Sequence, residues 1–339
     1  MLRPSLGVSH TMLGFSLLLG ALFVLTLSGL TPHVWGHLTP DDPFTPGPYS
    51  VSSYKVDPRT DKSPLQTTVY TPVAKGTYNP IVFVGGMYGY VGSSFYSDLL
   101  TEIATHGQIV YGMDALPLDP KGQLASGNGP WKDGVQGRRT SLSAKYEEYM
   151  QQLLWLQQHA SNRTSAVPDW SQMSLMCHSA GCDDTLLMIN ASRSLFKASV
   201  YLDPVSPHAL LMQPFPSKVA TLTYMAQLSE EKPDCCIPGM GWKKIYDLMT
   251  CVKVRMEVKD FGHCDVLDHL PWEGCHLSKI CKTTNDTRLA DYRHQTSGVV
   301  TSFIQWTVLG NKDMARYVTN PSAMPLPLVD LAFNTTCVF

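Results

Sequence analysis

The decapeptide Met173-Ser-Leu-Met-Cys-His-Ser-Ala-Gly-Cys182 constrains this chain more than any other stretch. Its apolar run breaks at Cys177-His178-Ser179-Ala180-Gly181, and an apolar helical pattern resumes at Thr185-Leu-Leu-Met-Ile189. That reads as a strand turning sharply into a helix with Ser179 at the apex. Residues flanking such a serine must be small, because a bulky neighbour would strike the adjoining strand and helix. Gly181 meets that demand. Cys177, at the first small position, is small without being glycine. Taken alone, Ser-Ala-Gly serves equally well as an ordinary strand-to-helix turn.

Two segments further along the chain give the turn its meaning. Ala198-Ser-Val-Tyr-Leu202 is a β-rich apolar run ending in Asp203-Pro204, and Pro204 cannot extend a hydrogen-bonded ladder. Val252-Lys-Val-Arg-Met-Glu-Val258 alternates apolar and charged residues as a strand does, and leads into Lys259-Asp-Phe-Gly-His263. Ser179, Asp203 and His263 thus each come after an expected strand, in the order Ser…Asp…His that the α/β-hydrolase fold uses. A serine nucleophile needs an imidazole to take its proton and a carboxylate to orient that imidazole. Asp183 and Asp184 open the helix after the turn, where carboxylates stabilise a helix N-terminus. Asp265 and Asp268 lie too near His263 in sequence to orient it without a tight turn. His178 at the turn is expected to point away from Ser179, and His106 to close a helix.

These residues, with others, carry a resemblance to the chlorophyllase family over nearly the whole chain beyond its N-terminal leader. The segment Phe95-Tyr-Ser-Asp-Leu-Leu-Thr-Glu-Ile-Ala-Thr-His-Gly-Gln-Ile-Val110 is similar to the one after that family's first core strand. The turn resembles its G-H-S-R-G-G, and Leu202-Asp-Pro-Val205 its I-D-P-V. Lys259-Asp-Phe-Gly-His-Cys-Asp-Val-Leu-Asp268 resembles K-D-Y-G-H-M-D-M-L-D, the most specific of these matches. Cys236-Ile-Pro-Gly239 with Cys251, then Ile280-Cys-Lys282 and Ser297–Phe303, look like further family segments. The resemblance implies a serine hydrolase that cleaves the phytyl ester of chlorophyll, with Ser179 as nucleophile, Asp203 as acid and His263 as base. Four positions depart from it. Cys177 and Cys182 stand for glycines, Ala180 for an arginine, and Gly85-Gly86 for His-Gly. They bear on substrate choice, because an alanine beside the serine and a glycine in the preceding loop leave a wider, more apolar mouth.

A second electrostatic element is readable without the family. Pro80-Ile-Val-Phe-Val84 is a buried strand by composition, followed by the glycine-rich Gly85-Gly-Met-Tyr-Gly-Tyr-Val-Gly92. In this fold the oxyanion is held by the amide after the nucleophile, here Ala180, and by one in this loop, for which Met87 is the candidate. The loop lacks the Lys-Ser/Thr ending of a phosphate-binding P-loop.

Expected elements alternate: strands at Ile81–Val84, Ile109–Met113, Ser174–Cys177, Ser199–Leu202, Lys218–Tyr224 and Val252–Val258, with helices at Ser97–Thr105, Ser141–Ala160, Asp184–Asn190 and Gly298–Leu309. That alternation implies a mainly parallel sheet flanked by helices, a single catalytic domain over 31–339. The formal net charge of −2, with no basic cluster, argues against nucleic acid as a partner. Residues 1–30 read as a signal peptide or signal anchor: Arg3 precedes the apolar Thr11–Leu30, long enough to span a bilayer if uncleaved. The expectation is a protein secreted, held in the secretory lumen, or anchored to the membrane through this segment. Nine cysteines and the sequons at Asn162, Asn190, Asn285 and Asn334 accord with that. Asn190 falls on the helix after the turn, where burial would keep it from modification. The odd cysteine count leaves at least one thiol unpaired or paired between chains. Cys177 and Cys182 are expected to be small buried residues rather than bridge partners. No cysteine or histidine pair has zinc-ligand spacing, and neither a metal nor another cofactor is expected.

The expected activity is hydrolysis of a hydrophobic ester. Ser206-Pro-His-Ala-Leu-Leu-Met-Gln-Pro-Phe-Pro216 is either part of an alcohol or acyl pocket or a packed connecting loop. The alternatives are a lipase or polyester-type esterase on the same scaffold, a non-catalytic adhesion module, and a chlorophyll-binding protein without turnover. The adhesion reading sits poorly with a complete Ser, Asp and His set.

Overall fold

Alternation within the central strands decides where the two halves of the core lie. In the strand that ends at Val84, Ile81 and Phe83 face one side of the sheet and Val82 and Val84 the other, and all four are fully buried. Such strands, covered on both faces, read as nearly continuous apolar runs. The computed structural model describes residues 42–115, 139–160, 163–214, 217–237, 239–285 and 287–337, without the side chains of 139–144.

The strands are β1 (Val51–Val56), β2 (Gln66–Pro72), β3 (Gly76–Val84), β4 (Gln108–Asp114), β5 (Ala166–Pro168), β6 (Ser174–His178), β7 (Ala198–Leu202), β8 (Ala220–Ala226), β9 (Lys253–Val258) and β10 (Leu328–Asn334). They form one sheet in the order β1-β2-β4-β3-β6-β7-β8-β9-β10, with β5 pairing to β3. Neighbouring strands from β4 through β3, β6, β7 and β8 to β9 run parallel, while β1, β2 and β10 add antiparallel pairings at the two edges. The helices are α1 (Pro58–Asp61), α2 (Gly86–Gly89), α3 (Ser97–Thr105), α4 (Arg139–His159), α5 (Gly181–Ala191), α6 (Pro207–Leu211), α7 (Trp242–Leu248), α8 (His269–Ser278), α9 (Leu289–Thr307) and α10 (Arg316–Thr319). Leu99 and Ile103 of α3 and Val299 and Phe303 of α9 pack with Ile81 and Phe83; Leu153 and Leu156 of α4 and Leu186 and Ile189 of α5 pack with Val82 and Val84. This is the expected α/β-hydrolase architecture.

All ten expected elements are present, α3 with the expected bounds. Helix α9 begins nine residues before the expected Gly298, because Gln295, Thr296 and Ser297 of its first half are buried but polar and extend no apolar pattern. The edge strands β1 and β10 are additions to the expected set: both are half-exposed, and Val-Ser-Ser-Tyr-Lys-Val lacks the dense apolar run of a central strand.

Candidate active site

In parallel sheets the loops leaving the carboxyl ends of the strands build the site, and four such crossovers meet here. Ser179 follows β6 with φ 56°, a left-handed backbone that L-residues rarely adopt and that thrusts the side chain out of the turn. Its amide donates to the Leu202 carbonyl and its carbonyl accepts from Val205, which ties the apex to the end of β7. Gly181 cannot be replaced: a Cβ there would lie 2.2 Å from the Gly85 carbonyl oxygen. Cys177 and Cys182 correct one expectation. Both are fully buried, as expected, but they are bonded to each other, so a disulfide brackets the serine. A bridge needs Cα atoms about 4.4–6.8 Å apart, and the sharp turn brings these two to 5.0 Å.

His263 arrives from the loop after β9, and its Nε2 lies 2.8 Å from Ser179 Oγ. The loop is shaped by Asp265, which is fully buried. Its carboxylate accepts from the Gly262 amide (2.6 Å), the Thr284 amide (2.9 Å) and Trp272 Nε1 (2.7 Å). Asp268 accepts from the amides of Ser97 and Asp98, capping α3. The acids of the Gly-His-x-Asp-x-x-Asp stretch therefore hold backbone, in line with the structural role expected of them. Burial pushes the His263 imidazole down to about 4, so it is neutral at neutral pH and able to act as a base.

His178 packs its ring against that of His263, their centroids 4.5 Å apart. Its Nδ1 lies 2.8 Å from Tyr96 Oη and its Nε2 3.1 Å from the His263 carbonyl oxygen. The Tyr96 hydroxyl oxygen in turn accepts from the Gly86 amide at 2.9 Å. A neutral imidazole has one donor and one acceptor. Nε2–H therefore donates to the carbonyl, Nδ1 accepts from the tyrosine, and burial holds His178 well below its usual range. The chain of bonds links the glycine-rich loop to the loop of the base.

Asp203 follows β7 with φ 41° and is fully buried. A carboxylate oxygen, a His263 ring nitrogen and a His178 ring nitrogen lie within 4.8 Å of one another. No hydrogen bond joins Asp203 to His263, and Asp203 Oδ1 accepts from the Ala226 amide at 2.7 Å. Burial raises its carboxyl well above the usual range. His263 Nδ1 lies 3.3 Å from Cys236 Sγ, a thiol that nothing in the local sequence marks as a partner of the base. Cys236 is the free thiol that the odd count required. The other bridges are Cys235–Cys281, Cys251–Cys337 and Cys264–Cys275.

Gly86 lies against the nucleophile: a Cβ on it would come within 3.4 Å of Ser179 Cβ. Met87 and Tyr88 follow with φ 52° and 58°, left-handed conformations uncommon for residues other than glycine. Ala180 heads α5. Asp183 and Asp184 sit in the first turn of α5 as expected, both buried. Asp183 accepts from Ser206 Oγ at 2.6 Å and lies 2.6 Å from His208 Nδ1. Burial and Asp183 push Asp184 up to about 8. Within Ser206–Pro216, Ser206 and His208 are anchored in this way, while Leu211 is 82% exposed. His106 caps the end of α3.

Of the sequons, Asn190 is exposed at the last turn of α5, contrary to the expected burial, and its side chain accepts from Arg193. Asn285 is exposed, Asn334 half-buried, and Asn162 lies outside the described residues, as does the expected leader, residues 1–30. Among the described residues no helix is long and apolar enough to cross a membrane.

The chain is similar to known proteins along most of its length. The chain is 24% identical over 312 residues to Chlorophyllase-1 of Arabidopsis thaliana, spanning 84% of this chain and 90% of that protein. It is 25% identical over 305 residues to the chloroplastic Chlorophyllase-1 of Citrus sinensis, spanning 84% and 86%. The sequence model for chlorophyllases matches residues 40–335. Matched by that family model over most of its length, the chain belongs to the chlorophyllase family, whose members are carboxylic ester hydrolases.

Proposed function

We propose that the protein is a serine carboxylesterase that cleaves a large hydrophobic ester, with the phytyl ester of chlorophyll as the favoured substrate. The observation that carries the reading is the 2.8 Å contact between His263 Nε2 and Ser179 Oγ at a left-handed turn apex. Ser179 attacks the ester carbonyl while His263 takes its proton. The amides of Met87 and Ala180 hold the oxyanion. His263 passes the proton to the leaving alcohol, leaving an acyl-enzyme, and then activates the water that releases the acid. Asp203, buried within 4.8 Å of the imidazole, stabilises the imidazolium through space.

Exposed apolar side chains on the segments that follow four of the sheet strands support a hydrophobic substrate. Met87, Leu210, Leu211, Ile237 and Leu270 follow the carboxyl ends of β3, β7, β8 and β9 and are all at least 38% exposed. The family arginine beside the nucleophile is Ala180, which removes a charge there. The disulfides and the exposed sequons favour an oxidising compartment reached through the N-terminal leader.

Purified protein assayed on chlorophyll and on p-nitrophenyl acetate in one detergent tests the reading. The expected result is a higher kcat/KM for chlorophyll, with Ser179→Ala folded and at least about a thousandfold slower on both. Preference for acetate without chlorophyllide release would reduce the substrate to a generic ester. A tenth of wild-type turnover in Ser179→Ala would point to another nucleophile.

A further inference from the structure

Serine attack requires His263 Nε2 to be unprotonated, so in the reactive tautomer Nδ1 carries the proton and needs an acceptor. The atom facing Nδ1 is Cys236 Sγ, at 3.3 Å. The thiol hydrogen has its own partner, since Sγ also lies 3.4 Å from the Asp203 main-chain oxygen. With S–H directed there, the sulfur lone pairs are left for Nδ1–H. The carboxylate of Asp203 is engaged by the Ala226 amide and makes no hydrogen bond to the ring. We propose that Cys236 is a positioning residue that accepts the His263 Nδ1 proton and so holds the base in its reactive tautomer. This rests on the serine-hydrolase reading.

The surroundings keep the thiol fixed and chemically quiet. Cys236 is 1% exposed and packs with Met225, Trp242 and Val205. Its amide donates to the Ser229 carbonyl at 2.9 Å, and its neighbour Cys235 is bonded to Cys281, which anchors the loop beside the sulfur. Burial raises the thiol well above its usual range, so it remains a neutral S–H rather than a competing thiolate. The His263 main chain is held separately, through its carbonyl, by His178. Ring and backbone of the base are thus located by different residues.

The test uses the full chain with its disulfides intact, as wild type, Cys236→Ala and Cys236→Ser. Steady-state kinetics on a p-nitrophenyl ester would be read beside Tm and the ring-nitrogen NMR shifts of His263 in protein labelled with ¹⁵N-histidine. Cys236→Ala should lower kcat roughly tenfold or more with KM within about twofold. It should also move the His263 shifts from the Nδ1–H form toward a mixture of tautomers. Cys236→Ser, whose hydroxyl can accept the same proton, should recover most of kcat and the Nδ1–H signature. Wild-type kcat and an unchanged tautomer in Cys236→Ala would overturn the proposal, as would equal loss in both variants tracking only a fall in Tm. The tautomer is read without turnover, so it stands apart from the activity of Ser179→Ala, which decides the nucleophile.

Discussion

Cys177 and Cys182 are joined across Ser179, so the nucleophile sits inside a covalent loop whose ends are five residues apart and both fully buried. The family motif that this turn resembles has glycines at both places. In this chain a short cross-link closes the same strained turn.

Replacing the pair by Cys177→Ala with Cys182→Ala should therefore loosen the turn. Closing so short a loop is worth about 2 kcal/mol on the chain-entropy estimate. The double variant is expected to lose about that much stability in urea unfolding, with kcat falling more than KM rises. Unchanged stability and kcat would mean the bridge does not support the nucleophile.

The acids near His263 should separate by what they hold. Asp203→Asn removes the carboxyl group beside the imidazole and is expected to cut kcat strongly with a modest change in Tm. Asp265→Asn puts an amide nitrogen among three donors and should cost about 1–3 kcal/mol of stability. Asp268→Asn keeps an acceptor oxygen for the α3 cap and should cost less. A larger kcat loss for Asp265→Asn than for Asp203→Asn, in fully folded protein, would move the role of the acid to Asp265.

The base is neutral down to about pH 4 in the folded protein. The acid limb of kcat/KM should therefore lie nearer 4 than the ordinary histidine value of about 6.5. The sign for stability is the reverse of a paired histidine. Between about 6.5 and 4 the unfolded chain takes up a proton that folded His263 refuses, so this residue's contribution is complete above 6.5 and falls as pH drops toward 4. An acid limb centred near 6.5, in protein still folded at pH 5, would show that the imidazole is better solvated than its burial implies.

Asp184 has the opposite linkage. Burial and Asp183 raise it to about 8, so the folded state keeps a proton that the unfolded chain releases above about 4. Its burden on stability grows with pH between about 4 and 8, and is constant above that. Asp184→Asn should gain stability over wild type progressively across that interval, by a few kcal/mol at most. A difference between the two proteins that does not vary with pH would show that Asp184 is ionised in the fold.

The α/β alternation, the strand–Ser179–helix turn and the order Ser179, Asp203, His263 are written locally. Each depends on a few adjacent residues whose apolar spacing and small side chains have one good solution. Helix α3 is legible for that reason, and so is the need for Gly181 at the turn. Pairings across the sheet are not local. His263 is 84 positions from Ser179, and Cys236 27 from His263. They meet because loops from different strands end at one edge of the sheet. Composition cannot say which of nine cysteines stays free, that Cys177 and Cys182 close on each other, or that a thiol rather than the Asp203 carboxylate faces Nδ1. Those outcomes turn on distances of a few ångströms between chain segments far apart in sequence, and only the packed sheet sets them.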